Sequence, residues 1–188
     1  MISDTPPGPL VDLPVGQSAD TTPSALVHDK LIGVKIGNYE IEQLVGRGGF
    51  GAVYKARDTK LNRPAAIKFV LSKIDSSHAE MFAREAKIIA NLSRHPNIVQ
   101  IYEWGEYEGA NYFVLEYLDR GADGLIRTQP EGLPVQVALQ ITHDCAKALE
   151  YAHKQGVLHR DIKPANILID AESGRAKLCD FGLAKFHN

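Results

Sequence analysis

The sequence predicts an α+β fold made of two unlike halves. Three observations predict it. Short apolar runs of strand length, separated by Gly, Asn and Asp turns, fill residues 39–118. A single helical pattern at about residues 76–92 interrupts them, and after Gly121 a long three- and four-residue periodicity takes over. Hydrophobic residues make up 44% of the 188, enough to build a core, so global disorder is not expected.

Residues 1–37 differ from the rest. Pro6, Pro7, Pro9, Pro14 and Pro23 lie there among Gly, Ser, Thr and Asp, with few large apolar side chains. Such a segment cannot bury enough surface to offset its ordering entropy. It reads as a disordered Pro-rich leader, with order beginning near Gly37-Asn38. Tyr39, Ile41, Leu44 and Val45 then suggest a half-buried strand entering a glycine turn, and residues 52–57 alternate like its returning partner. Residues 58–64 are turn material, and 65–71 read as a third strand. Ser76 or Ser77 can cap the helix, which the Arg94-His95-Pro96-Asn97 stretch ends. Residues 98–104 and 112–118 read as two more strands with a turn at 105–111 between them.

In the second half Pro134 suits the first turn of a helix running to about Gln155, with Gly156 as its stop. Val135, Ala138, Thr142, Cys145, Leu149 and Ala152 recur at helical steps and form the expected buried stripe. Two short strands, 167–169 and 176–178, flank a turn at 172–174. His95, His143 and His153 read as structural or solvated, and Trp104 and the tyrosines as strand and core residues.

Composition excludes several classes of function. A net charge of −2, with 21 basic residues that never gather into one run, gives no electrostatic case for nucleic acid or an anionic membrane. No apolar stretch approaches the length of a membrane span, and the N-terminus lacks the pattern of a secretory signal. Cys145 and Cys179 make neither a disulfide framework nor a metal knuckle. A reducing, cytoplasmic setting is the expectation.

Four motifs carry the chemistry. Gly46-Arg47-Gly48-Gly49-Phe50-Gly51-Ala52-Val53 is a glycine loop followed by a strand, whereas dinucleotide-binding folds place a helix there. Glycines let backbone amides approach phosphate oxygens with no Cβ in the way. Lys68 lies inside an apolar strand, between Ile67 and Phe69. Glu85 lies on the apolar face of the following helix, at spacings it shares with Met81, Phe82, Ile88, Ile89 and Leu92. A carboxylate there is costly unless paired, so Lys68 and Glu85 are expected to meet. His159-Arg160-Asp161-Ile162-Lys163-Pro164-Ala165-Asn166 sets a carboxylate, a lysine and an amide on one loop. Asp161 can accept or align a hydroxyl proton, and Asn166 offers a neutral oxygen to a hard cation. Asp180-Phe181-Gly182 follows, 19 residues after Asp161, behind the short hairpin.

In this order the motifs resemble those of eukaryotic-type protein kinases, and their wording is nearest to the serine/threonine class. The resemblance covers about residues 39–188. It implies a protein-kinase-like fold, with a complete five-stranded N-lobe and one helix at about 38–118 and a partial helical C-lobe at about 119–188. It implies ATP and Mg2+ as cofactors and a Ser/Thr protein as substrate. Asp161, Lys163, Lys68 and Glu85 would be catalytic, with Lys68 on the α- and β-phosphates and Lys163 on the transferring one. Asn166 and Asp180 would hold the metal. Val45, Gly46, Gly48, Gly49 and Gly51 would cover the nucleotide, and Val53, Ala66 and Leu168 would sandwich its purine. The backbone of Glu116 and Leu118 would meet the adenine edge, with Leu115 just before them. Ile89, Ile101, His159 and Phe181 would stack as a spine between the lobes. Arg160 would pair with a phosphorylated activation segment.

The motifs stop soon after Gly182, before the activation segment and the later helices that such kinases carry. The chain therefore reads as an incomplete kinase domain that does not transfer phosphate to protein alone. The alternative is a nucleotide-binding regulatory module without phosphotransferase activity.

Overall fold

The structure, a computed structural model, describes residues 31–48, 51–70, 87 and 89–181. Expectations for the leader up to residue 30, for Gly49, Phe50, Glu85 and Gly182, and for most of the 76–92 helix lie outside the described residues.

The first half is a six-stranded antiparallel sheet of β1 (Lys35–Ile36), β2 (Tyr39–Gly48), β3 (Gly51–Asp58), β4 (Arg63–Val70), β5 (Ile101–Tyr107) and β6 (Ala110–Glu116). Their order across the sheet is β1-β2-β3-β4-β6-β5. The five expected strands are present. The two-residue β1 is an addition, and it moves the start of order back from Gly37-Asn38. Leu31 and Ile36, assigned to the leader, are buried in the sheet's core with Tyr39, Ile41, Tyr54 and Ile67. Gly37, at φ 58°, turns the chain between β1 and β2.

Alternation explains which face each residue serves. In β3, Ala52, Tyr54 and Ala56 are fully buried in that core, while Val53 and Lys55 look the other way and are half-buried. In β4, residues 65–70 are all buried, so this strand is covered on both faces. That double burial is what places Lys68 inside the protein.

The β5–β6 connection is tighter than expected. Tyr107 pairs with Ala110, and Glu108 and Gly109 at φ 49° and 77° make a two-residue turn of the hairpin type. Gly105 is therefore a strand residue, packed under the Tyr112 ring. The strand begins at Ile101, because residues 98–99 leave the sheet to bridge Leu178 in the other half. Trp104 is a strand residue but is 43% exposed rather than in the core.

The second half contains β7 (Arg120–Gly121), α1 (Ala122–Arg127), α2 (Val135–Lys154), a 3-10 turn at Pro164–Asn166, β8 (Ile167–Ile169) and β9 (Ala176–Leu178). β7, β8 and β9 form a second sheet, and β8 and β9 lie where the sequence placed them. Neither β7 nor α1 was expected. Pro134 caps α2, and Gly156 at φ 73° ends it.

The buried stripe of α2 is rotated from the expected one. Asp144, Cys145, Ala148 and Ala152 are buried, with Ile141 and Leu149 packed beside them, whereas Thr142 is exposed. Val135 and Leu139 are 72% and 59% exposed. The rotation is set by Asp144, whose carboxylate accepts the buried Ala176 N–H (3.0 Å) and Gln140 Nε2 (3.0 Å). A second core, with Leu92, Ile98, Leu178 and Phe181, closes over this stripe.

Candidate active site

The site lies where β4, the 159–166 loop and the end of β9 meet. Lys68 and Val53 are register partners in the β3–β4 pair, and Ala66 is the register partner of Leu115 in the β4–β6 pair. Val53, Ala66 and Lys68 thus share the face opposite the first core. Beyond β9, Cys179 N–H donates to Asn166 O (3.0 Å), tying the segment that bears Asp180 to the loop that bears Asp161.

Within that loop the expected residues are brought together. Lys163 Nζ lies 2.7 Å from Asp161 Oδ2, and Asn166 Nδ2 donates to the same oxygen (2.9 Å) and to Asp161 O (2.8 Å). These bonds, that of Lys163 first, hold the Asp161 carboxyl below its usual range. Asp161 is therefore ionised at neutral pH and can accept a hydroxyl hydrogen bond.

His159 supports this arrangement from beneath. Asp161 N–H donates to Nδ1 (3.3 Å), which puts the ring proton on Nε2, where it bonds Cys179 O at 2.8 Å. Its ring packs on Phe181 with centroids 4.6 Å apart. Burial lowers the His159 pKa from its ordinary value. Arg160 and Asp180, on either side of this contact, have φ values of 68° and 66°, a left-handed backbone that non-glycine residues adopt at a cost of about 1–3 kcal/mol.

Lys68 Nζ is 2.6 Å from Asp180 Oδ1. The expected Glu85 partner lies outside the described residues, so the pair seen for Lys68 is with the carboxylate expected to carry metal. Among the described residues no cluster of three or more His, Cys, Asp or Glu is placed to hold a cation. The donor chemistry nevertheless fits magnesium. Asp180 supplies a hard carboxylate, and both hydrogen bonds of the Asn166 side chain use its nitrogen, which leaves the amide oxygen for a cation.

The glycine loop is the tip of the β2–β3 hairpin. Gly46 pairs with Val53 and Gly48 with Gly51, and register shifts on either side of residues 42–45 place Val45 at an irregularity, where it is 52% exposed. Gly51 has φ 136°, and a Cβ there would overlap Phe69 O. Glu116 ends β6, and Tyr117 and Leu118 lie in the link to the second half. Behind Leu115 a pocket is lined by Lys68, Phe113, Ile89, Ile101, Cys179 and Phe181, among others. Burial, and then the Asp180 carboxylate, push the Cys179 thiol far up. It is therefore a poor nucleophile.

Three site-supporting residues escaped the sequence reading. Asn97, 4% exposed, donates Nδ2 to Ala176 O, Asp144 anchors the same strand, and Lys177 makes a salt bridge to the Glu116 carboxylate. Asp144 carried a signal, a carboxylate inside an apolar helix stripe, of the kind that picked out Glu85.

Residues 39–188 match the protein kinase domain family, and the chain belongs to it. Its relatives include proteins named as serine/threonine-protein kinases of bacteria. One is a probable serine/threonine-protein kinase of Clostridium perfringens, 44% identical over 158 residues that cover 82% of this chain and 23% of the relative. Another is PknJ of Mycobacterium tuberculosis, 38% identical over 166 residues, 85% of this chain and 28% of that protein. Among solved structures, a doubly substituted kinase domain of Mycobacterium tuberculosis PknI superposes with a TM-score of 0.71 at 31% identity, covering 81% of this chain and 63% of that one. The chain thus spans about a quarter of the length of the curated relatives it matches. Among the described residues no helix is long and apolar enough to cross a membrane.

Proposed function

We propose that this chain is the nucleotide-binding and catalytic-loop portion of a protein serine/threonine kinase that moves the terminal phosphoryl group of MgATP to a protein hydroxyl. The observation that carries the reading is the Asp161–Lys163–Asn166 network, hydrogen-bonded through Asn166 O to the segment that ends in the Lys68–Asp180 pair. The transition state of phosphoryl transfer is loose, so catalysis is mainly positioning and charge stabilisation. The residues divide those tasks. Lys68 holds the α- and β-phosphates, and the amides around Gly46, Gly48, Gly49 and Gly51 cover them. Val45, Val53 and Ala66 face one side of the purine and Leu168 the other, while the Glu116 and Leu118 backbone meets its edge. Glu85 orients Lys68 once Asp180 is engaged elsewhere. Asp161 aligns the substrate hydroxyl and takes its proton late, and Lys163 beside it stabilises charge on the transferring group. Asn166 and Asp180 are the oxygens for magnesium, which neutralises phosphate charge when bound.

The test is transfer of radiolabelled γ-phosphate from MgATP to a generic Ser/Thr protein such as casein, made with the whole protein that carries this chain. Asp161→Ala is expected to remove nearly all transfer, because alignment and proton acceptance are lost together. Transfer that survives Asp161→Ala at the wild-type rate contradicts the assignment.

A further inference from the structure

Glu116 ends β6 and opens the link between the two halves. Its backbone N–H donates to Gln100 O at 2.9 Å. Its carboxylate accepts Gln100 N–H on Oε1 (2.7 Å) and pairs with Lys177 Nζ on Oε2 (2.6 Å). The two side chains are only 14% and 17% exposed, unlike the solvent-facing Lys154–Glu150 and Arg127–Asp123 pairs. A shielded pair at this separation is screened far less than a surface pair. Lys177 also has a particular place in the fold: in β9 it is the register partner of Leu168 in β8. The ion pair therefore joins the strand pair bearing the purine floor to the residue whose backbone borders the purine edge.

We propose that Glu116 and Lys177 are a positioning pair that fixes the spacing between the inter-lobe link and Leu168, and so controls affinity for the base end of the nucleotide. The inference rests on the nucleotide reading above. Glu116 is tied to residue 100 through backbone and side chain, and residues 97–99 are hydrogen-bonded to Leu178, so the Lys177 bond adds a side-chain tie between β9 and the link itself. Without it the link is held to β9 only through residues 97–99, and the free energy of fixing its spacing to Leu168 is subtracted from binding.

Calorimetry of adenosine and of MgADP binding to the chain separates the possibilities. Lys177→Met weakens both ligands by the same factor, on the order of tenfold. Glu116→Gln, which keeps an acceptor for Gln100 N–H, does likewise. The double variant is no weaker than either single one, because each removes the same interaction. Lys177→Arg keeps the charge and recovers most of the affinity. Lys68→Ala marks the opposite end: it weakens MgADP by a larger factor than adenosine, where Lys177→Met weakens both alike. Unchanged adenosine binding in Lys177→Met, or losses that add in the double variant, overturn the positioning role while leaving the nucleotide site in place. A wild-type chain that binds neither ligand overturns the nucleotide reading, and this inference with it.

Discussion

Burial disfavours the charged form of His159 and outweighs the Cys179 carbonyl and the Asp180 and Asp161 carboxylates, which favour it. Its Nδ1 accepts from Asp161 N–H, and its other face is closed by Phe181. Its folded pKa lies below the ordinary imidazole value of 6.5, so as pH falls the unfolded chain takes up the proton first. The stabilisation is complete above about pH 6.5 and is lost as pH drops below it. His95 acts in the same direction, lowered by burial and by Lys147. Urea unfolding is expected to show lower stability at pH 5.5 than at 7.5, with His159→Phe reducing that difference. Equal stability at both pH values contradicts a His159 held neutral by burial. Asp144 gives a second expectation. Asp144→Ala leaves the buried Ala176 N–H without its acceptor and costs about 1–3 kcal/mol, read as a fall in Tm, while Asp144→Asn keeps an acceptor and loses less. These two residues stand on opposite sides of what was legible: His159 was named from its motif, and Asp144 was not. Asp161, Lys163, Asn166 and Asp180 could be read because their chemistry fixes residue type and spacing together. Asp144 and Asn97 serve backbone groups 32 and 79 residues away, a pairing that spacing does not encode.

Among elements, the β2–β3 hairpin combines a fixed end and a free one. Gly51 sits at φ 136° with Phe69 O where a Cβ would go, whereas Gly46 has open space around it. Gly51→Ala must therefore push β3 from β4 beside Lys68, and Gly46→Ala need not move anything. The first is expected to lower Tm by several degrees, at about 2–4 °C per kcal/mol for a chain this long, and the second to leave it within about 1 °C. A similar loss in both variants contradicts this account of the loop. Elements were legible where pattern and turn chemistry agreed, as in β8 and β9. They were misread where one residue overrode the pattern. Gly105 looked like a turn, yet Glu108-Gly109 makes a tighter one, so the strand runs on. Thr142 fitted the apolar spacing of α2, but the polar anchor at Asp144 turns that face outward.

Among the described residues there are two cores, joined at the residue 98–99 bridge to Leu178, the link opened by Glu116 with its Lys177 pair, and the Lys68–Asp180 pair. The order of the motifs made the two halves legible, because a glycine loop, a buried lysine and a carboxylate loop serve one reaction only if the chain brings them together. The joints were not, since each rests on contacts between residues distant in sequence. The exposed Val135 and Leu139 on α2 belong to this scale as well. Replacing both with Gln is expected to leave Tm within about 1 °C, and a large fall in Tm would show that they are core residues. The central claim is that the halves meet around a nucleotide, and thermal unfolding with and without MgATP tests it most directly. Ligand at about 100 times its dissociation constant adds roughly 2.7 kcal/mol to the folded state, a rise in Tm of several degrees, and Lys68→Ala removes most of it. A Tm that ignores MgATP, or a rise that Lys68→Ala leaves intact, contradicts the claim.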